Sequence, residues 1–155
     1  MANGTRPDIK LTPAEQTAFL RANRKCALAT LDKDGFPHLV AMTYHVADDG
    51  IFYMTSYAKA QKVLNIRRNP QVGLMVEAGG AYAELRGVVV RGHCEIVEDP
   101  DAVRTVFAAL ARERPERETQ PAARTAVDRA PKRVVLKVTP HKLVTWDHSK
   151  LGGRY

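Results

Sequence analysis

The run from Tyr53 to Pro70, YMTSYAKAQKVLNIRRNP, holds the residue types that bind a phosphate. Thr55 and Ser56 end a stretch of strand formers, and Lys59 and Lys62 follow where a helix begins. The first turn of a helix presents unpaired backbone N–H groups and the positive end of the helix dipole, which attract an anion. Hydroxyls donate to phosphate oxygens, and a lysine adds a full charge. The same two hydroxyls serve equally well as plain helix caps. Lys62 also suits a solvated helix face, and Arg67 and Arg68 suit a last helical turn, where cations complement the dipole with no ligand present. Residue by residue, both readings stand.

Such a site needs elements to position it. Thr12-Pro13-Ala14-Glu15 joins a capping hydroxyl, a proline at the first helical position and a glutamate three residues after the cap, so a helix is expected from Thr12 to about Arg24. CALATL and FPHLVAMTYHV then read as strands, and the turn Asp32-Lys33-Asp34-Gly35 between them predicts a hairpin. After Asp48-Asp49-Gly50, the strand IFYMTS is expected to pair with the second of these. AKAQKVLNIRRN reads as a short helix with Ala60, Val63 and Leu64 on one face, closed at Asn69-Pro70 because proline disfavours helical geometry in the residue before it. Gln71 to Glu77 is a fourth strand. The run AYAELRGVVVRGHCEIVE is too long for an ordinary straight strand, and Gly87 and Gly92 are expected as bulges or bends in it. A helix from Asp99-Pro100 to about Glu113 follows. RVVLKVTPHKLVTWD supplies the last strand or two, interrupted at Pro140. Many short strands with helices only as caps and crossovers predict a mostly β (α+β) fold, an antiparallel barrel with capping helices.

Composition bounds the function. A chain of 155 residues, 45% hydrophobic and 26% charged, suits one domain, expected to span 1–155 with 1–11 and 147–155 as flexible or partner-contacting tails. The longest strongly apolar run, Val88 to Val90 with its neighbours, falls far short of the roughly 20 residues a membrane-spanning helix needs. The start MANGTRPDIK has no apolar stretch behind its charges, so no secretory signal and a cytoplasmic location are expected. Cys26 and Cys94 make no disulfide scaffold and lack C-x-x-C spacing, so they read as buried thiols. A formal net charge of +7, from 24 Lys and Arg against 17 Asp and Glu, implies an anionic partner or a merely basic surface.

As a unit the motifs are more specific. The opening helix, ALATLDKDGFPHLVAMTYHV, F-Y-x-T-S, K-x-x-N-I-R-R-N-P-x-V and ELRGVVVRGHCEIVED together resemble the split-barrel flavin and deazaflavin oxidoreductases over about residues 12 to 146. That superfamily includes pyridoxamine 5′-phosphate oxidase and the coenzyme F420-dependent reductases. The resemblance implies an FMN-binding type of split barrel and a homodimer with the cofactor in a groove between two barrels. It implies that Thr55, Ser56 and Lys62 hold the cofactor phosphate, that Ala60 and Gln61 add contacts, and that Ala41, Met42 and Thr43 line the ring through backbone groups. Pyridoxamine phosphate oxidases place an arginine before the phosphate lysine and another base early in the second strand. Here stand Gln61 and the apolar Leu39 and Val40. That departure, with Lys59, Lys62, Arg67 and Arg68 suited to the phosphodiester and polyglutamate tail of F420, favours F420 over FMN. The activity implied is hydride transfer from reduced F420 to a small electrophilic substrate, with a bound water, Tyr44 or His45 as proton source. An FMN-dependent reductase or oxidase, and a non-catalytic cofactor-binding protein, stay open.

The remaining constellations carry less. The five histidines, His38, His45, His93, His141 and His148, form no H-E-x-x-H or tight His/Cys cluster, so no metal site is expected, while haem ligation by a single histidine stays open. Trp146, in TWDHSKLGGRY, either covers a planar ring or packs within the chain. No Ser/His/Asp arrangement, G-x-G-x-x-G or P-loop is present. The stretch from Arg112 to Arg133 mixes signs, and aromatic content is 6%, so no nucleic-acid partner is expected.

Overall fold

The structure, a computed structural model, describes residues 7–113 and 130–153. Arg114, Arg117, Arg124 and Arg129 of the mixed-sign stretch, and Tyr155, lie outside them. The first helix, α1, spans Pro13–Ala22, and its start is the expected capping box: Thr12 Oγ1 accepts from the Glu15 N–H, and the Glu15 carboxylate accepts from the Thr12 N–H. It ends before Arg24 because Asn23 is extended and turns its own backbone N–H and side-chain amide back onto the Phe19 carbonyl.

Seven strands follow: β1 Lys25–Leu31, β2 Pro37–Thr43, β3 His45–Val46, β4 Phe52–Tyr57, β5 Gln71–Ala78, β6 Arg86–Val97 and β7 Arg133–Asp147. Helix α2, Gln61–Arg68, lies between β4 and β5, and α3, Pro100–Arg112, lies between β6 and β7. All ladders are antiparallel, and one sheet runs in the order β2-β1-β5-β6-β7-β4-β3. This is the mostly β, antiparallel barrel with helices that the sequence implied.

One pairing differs from expectation. FPHLVAMTYHV is not a single strand beside IFYMTS. It is divided at Tyr44, so that β2 pairs with β1 at one edge of the sheet while β3 pairs with β4 at the other. Thr43 and His45 are separated by one residue, yet they belong to opposite edges. The sheet must therefore curl until its edges meet. Tyr44 sits fully buried at that junction, its backbone N–H donating to the Arg24 carbonyl at 3.1 Å and its hydroxyl to the Leu20 carbonyl at 2.7 Å. Its ring lies 5.3 Å from that of Phe52. Both α1 and the two sheet edges are thus tied to one side chain.

Strand alternation fills the interior. Cys26 and Leu28 from β1, Phe52 and Met54 from β4, Leu74 and Val76 from β5, Val88 and Val90 from β6, and Leu136 and Val138 from β7 all point inward. Burial pushes both cysteine thiols up to about 12, so they stay neutral and serve as apolar filling. Helix α3 packs outside the barrel, with Val103 and Val106 against Val135.

The two glycines of the long strand differ in role. Gly92 is at a bulge, where a Cβ would lie 2.6 Å from the Thr139 carbonyl oxygen. Gly87 stands in regular ladder opposite Trp146, and a Cβ there would lie 2.4 Å from the indole ring, so it marks a close approach and not a bend. Pro140 does not interrupt the last strand, because it falls at the bulge opposite Gly92 and the 15-residue strand continues past it. The chain ends expected as tails are packed in part: the Asp147 N–H donates to the Ile9 carbonyl, and Leu11 and Leu151 are buried.

Tyr44→Phe deletes one buried hydrogen bond at the junction and is expected to cost about 1 to 2 kcal/mol. A urea unfolding midpoint equal to that of the wild type would contradict the role given to this hydroxyl.

Candidate functional site

Helix α2 is fixed by Asn65, a fully buried polar residue. Its side-chain amide donates to Thr30 Oγ1 on β1 at 3.0 Å, and its Oδ1 accepts from Gln61 Nε2 at 2.8 Å and from the Arg68 guanidinium at 3.0 Å. A buried amide with its oxygen and nitrogen both satisfied holds one geometry, since any shift strands a polar group out of water. Gln61, expected at the cofactor, is spent on this anchor. Thr55 and Ser56 do not cap the helix: β4 runs through them to Tyr57, and Ala60 is the N-cap with no side-chain cap bond. Lys59 lies exposed in the intervening turn.

The anchor sets Lys62 beside Ser56. Lys62 Nζ donates to Ser56 Oγ at 3.3 Å, and that hydroxyl is buried. A second cation completes the cluster. Arg133 opens β7 directly opposite Tyr57 in the ladder, and its guanidinium carbon lies 4.1 Å over the Tyr57 ring and 5.3 Å from that of Phe107. Among the described residues neither Lys62 nor Arg133 has a carboxylate partner, and the buried Arg133 Nε has no acceptor. Burial first, and then the Arg133 charge, hold Lys62 below the usual lysine range. Two neighbouring cations with a hydroxyl and an unmet N–H form a receptor for an anion. Arg133 was not evident from the sequence. It lies more than seventy positions from Lys62, and only the β4–β7 ladder brings them together.

The other expected phosphate residues go elsewhere. Strand alternation turns Thr55 away from the face that carries Ser56, so the two hydroxyls do not converge. Arg67 pairs with Glu98, and Arg68 braces Asn65 and the Leu31 carbonyl. The row of four cations expected along an elongated polyanion is therefore not formed. Ala60 contributes backbone only: its N–H donates to the Tyr57 carbonyl at 3.0 Å.

The expected ring-lining residues flank an opening. The β3–β4 ladder ends at His45 and Tyr53. Continued in the same register, it would set Thr43 against Thr55 and Ala41 against Tyr57, but β2 has turned away to β1. As an edge strand, β2 keeps alternate backbone N–H and C=O groups free of any ladder. Ala41 helps line a cavity of about 690 Å³ together with Arg24, Lys25, Leu39, Met75 and Glu77. Met42 instead packs against the core, and Thr43 is half-buried opposite Lys25. Lys62 and Arg133 are not in the wall of this cavity. Trp146 is seated on Gly87 of its own sheet.

Tyr44 is no proton source. Its hydroxyl is committed to Leu20, and burial pushes the phenol far up. His45 Nδ1 lies 2.8 Å from a Glu113 oxygen, and the other Glu113 oxygen lies 3.6 Å from Arg24 Nε. The imidazole is oriented by a carboxylate that also faces a cavity-lining arginine.

Residues 12–147 match the family described as pyridoxamine 5′-phosphate oxidase. The chain belongs to that family. Within the family of solved structures, it is similar to a conserved hypothetical protein from Mycobacterium tuberculosis, with 36% identity over 99% of this chain and 95% of the other and a TM-score of 0.84. It is similar to an F420 reductase, with 28% identity over 82% of this chain and 94% of the other and a TM-score of 0.65. It also shares the fold of an FAD-binding protein from Mesorhizobium loti, with 24% identity over 88% of this chain and 94% of the other and a TM-score of 0.66. No curated protein matches. The family match fits an oxidoreductase. No helix among the described residues is long and apolar enough to cross a membrane.

An anion receptor built from paired cations is expected to respond to inorganic phosphate alone. Phosphate should raise the melting temperature of the wild type by mass action and leave Lys62→Met and Arg133→Gln unshifted. Because the fold disfavours charged Lys62, stability gained from its deprotonation appears as pH rises through its lowered folded-state value. Lys62→Met should therefore be no less stable than the wild type at neutral pH, and the wild type should gain on it in alkali. A variant that melts earlier at neutral pH and still responds to phosphate would contradict the assignment.

Proposed function

We propose that this protein is an oxidoreductase that binds coenzyme F420 and uses its reduced form to transfer a hydride to a small electrophilic substrate. The observation that carries this reading is the Ser56, Lys62 and Arg133 cluster, two cations and a hydroxyl with no carboxylate among the described residues to neutralise them. These residues fit the phosphate end of such a cofactor. Similarity to the F420 reductase supports the deazaflavin.

The cofactor, when bound, supplies the hydride; the chain supplies binding, orientation and a dry pocket. Lys62, Arg133 and Ser56 hold the phosphate. The free backbone groups of edge strand β2 near Ala41 and Thr43 give hydrogen bonds to the polar rim of the ring. Leu39 and Met75 give the cavity an apolar wall, which a second copy of the chain would close against water. His45, fixed at Nδ1 by Glu113, has Nε2 to hold or release a proton near the cavity that Arg24 lines. A cytoplasmic location belongs to the same reading.

A second reading keeps the site and replaces the cofactor with FMN. With Arg67 and Arg68 engaged by other partners, the remaining cations match a single terminal phosphate, which FMN carries. Parallel titration of the protein with F420 and with FMN separates the two. We expect F420 binding that weakens at least about tenfold, or about 1.4 kcal/mol, in Lys62→Met. Tight FMN binding without F420 binding would install the second reading, and F420 binding without turnover on quinones or enones would leave a cofactor-binding protein.

A second copy of the chain is part of the proposal. Ala41, Ala27, Met75, Val89 and Val144 occupy one rung across the outer sheet face, and Leu39 stands beside it. Leu39 is 63% exposed, Val144 47% and Met75 42%. Such an apolar row beside an open cavity suits self-association, which would supply the missing cavity wall. Met75→Glu is expected to give monomers on gel filtration and to weaken cofactor binding. A variant that stays dimeric, or a wild type that is monomeric, would overturn this face as the interface.

A further inference from the structure

Helix α3 ends on Glu113, a carboxylate at the negative end of its own helix dipole, where a lysine or arginine is the favoured residue. Its backbone N–H closes the last turn onto the Ala109 and Ala111 carbonyls, so the helix itself holds the residue in place. The side chain is 21% exposed, too shielded for water alone to offset that position. Two partners from distant parts of the chain offset it instead. Oε1 lies 2.8 Å from His45 Nδ1 on β3, and Oε2 lies 3.6 Å from Arg24 Nε, between α1 and β1. Oε2 is buried without a hydrogen-bond partner, so the Arg24 charge is what it faces. Arg24 lines the cavity, and its backbone carbonyl accepts from Tyr44, the residue before His45. The His45 ring lies 6.4 Å from that of Tyr53, its partner in the β3–β4 ladder.

We propose that Glu113 is a positioning residue, which holds His45 with its proton on Nδ1 and ties that imidazole to Arg24 at the edge of the cavity. The use made of this arrangement rests on the cofactor reading above; the place of the proton rests on geometry alone. An ionised carboxylate only accepts, so the nitrogen it touches carries the hydrogen. Neutral His45 then has its lone pair on Nε2, where no hydrogen bond is made among the described residues. That nitrogen is left to take up a proton and to pass it on. The arrangement requires a carboxylate and not merely a side chain of that shape. A glutamine has one acceptor oxygen and one donor amide group. Set between a guanidinium and an imidazole, it turns its oxygen to the cation and its amide to His45. The imidazole must then accept at Nδ1, and its proton moves to Nε2.

Nitrogen NMR spectra of the His45 ring in the full chain, recorded without cofactor at alkaline pH where an imidazole is neutral, read the tautomer directly. The proton is expected on Nδ1 in the wild type and on Nε2 in Glu113→Gln. The variant should stay folded, since Val103 and Val106 still pack α3 against Val135. A wild-type His45 with its proton on Nε2 overturns the proposal before any variant is made, and an unchanged tautomer in Glu113→Gln does the same. With reduced F420 bound and menadione given as acceptor, Glu113→Gln should lower kcat at least about tenfold and leave F420 affinity unchanged. An equal kcat would overturn the positioning role. Failure of F420 to bind would sink the cofactor reading, while the ring spectra still decide where the proton sits, so the two failures are told apart.

Discussion

The structure depends on one covalent constraint: a single residue, Tyr44, joins strands that lie at opposite edges of the same sheet. With its edges leashed this closely, a seven-stranded sheet cannot stay open. It curls, and right-handed strand twist carries the rest of the closure. Burial of the Tyr44 ring and its two hydrogen bonds makes the junction rigid. Because β2 leaves for β1 where β3 stays with β4, the barrel is split beside Ala41 to Thr43. The opening is a consequence of the junction, and the exposed backbone edge there is a consequence of the opening.

The charged site depends on a second, smaller constraint. Lys62 and Arg133 repel, and neither would stay beside the other if α2 were free to rotate. The Asn65–Thr30 hydrogen bond to β1, worth about 1 kcal/mol, and the burial of Val63 and Ile66 oppose that rotation, while the bonds from Gln61 and Arg68, both within α2, keep the buried amide oxygen paired. Mutual repulsion between half-exposed cations is the weaker effect at such distances from solvent. The fold thus holds two like charges together at low cost, ready for an anion that relieves them. Part of the basic balance of the chain is gathered in this cluster, while Arg67 and Arg104 are consumed in surface ion pairs.

What could be read from the sequence was what short-range chemistry decides. Thr12 to Glu15 encodes a capping box within four residues, and the box forms. Turn residues such as Gly35 and Gly50, both with positive φ, announce the hairpins. Strand formers continue unbroken through Tyr44, so nothing local marks the change of partner there. The K-x-x-N-I-R-R-N-P motif was visible as a pattern, but its meaning shifted. Asn65 is an anchor, Gln61 and Arg68 serve the anchor, and Lys62 is set beside Ser56. Arg133 beside Lys62, Glu98 on Arg67 and His141 beside His93 are products of ladders and helix packing between distant positions. Spacing in the chain carries no trace of them.

The central claim is that Lys62, Arg133 and Ser56 grip a phosphate of a redox cofactor. A crystal structure of the protein grown with F420 tests it most directly. The account requires the cofactor phosphate within hydrogen-bond distance of Lys62 Nζ and the Arg133 guanidinium, with Ser56 Oγ oriented toward it. A bound cofactor whose phosphate lies elsewhere, with Lys62 and Arg133 still facing solvent, would contradict it.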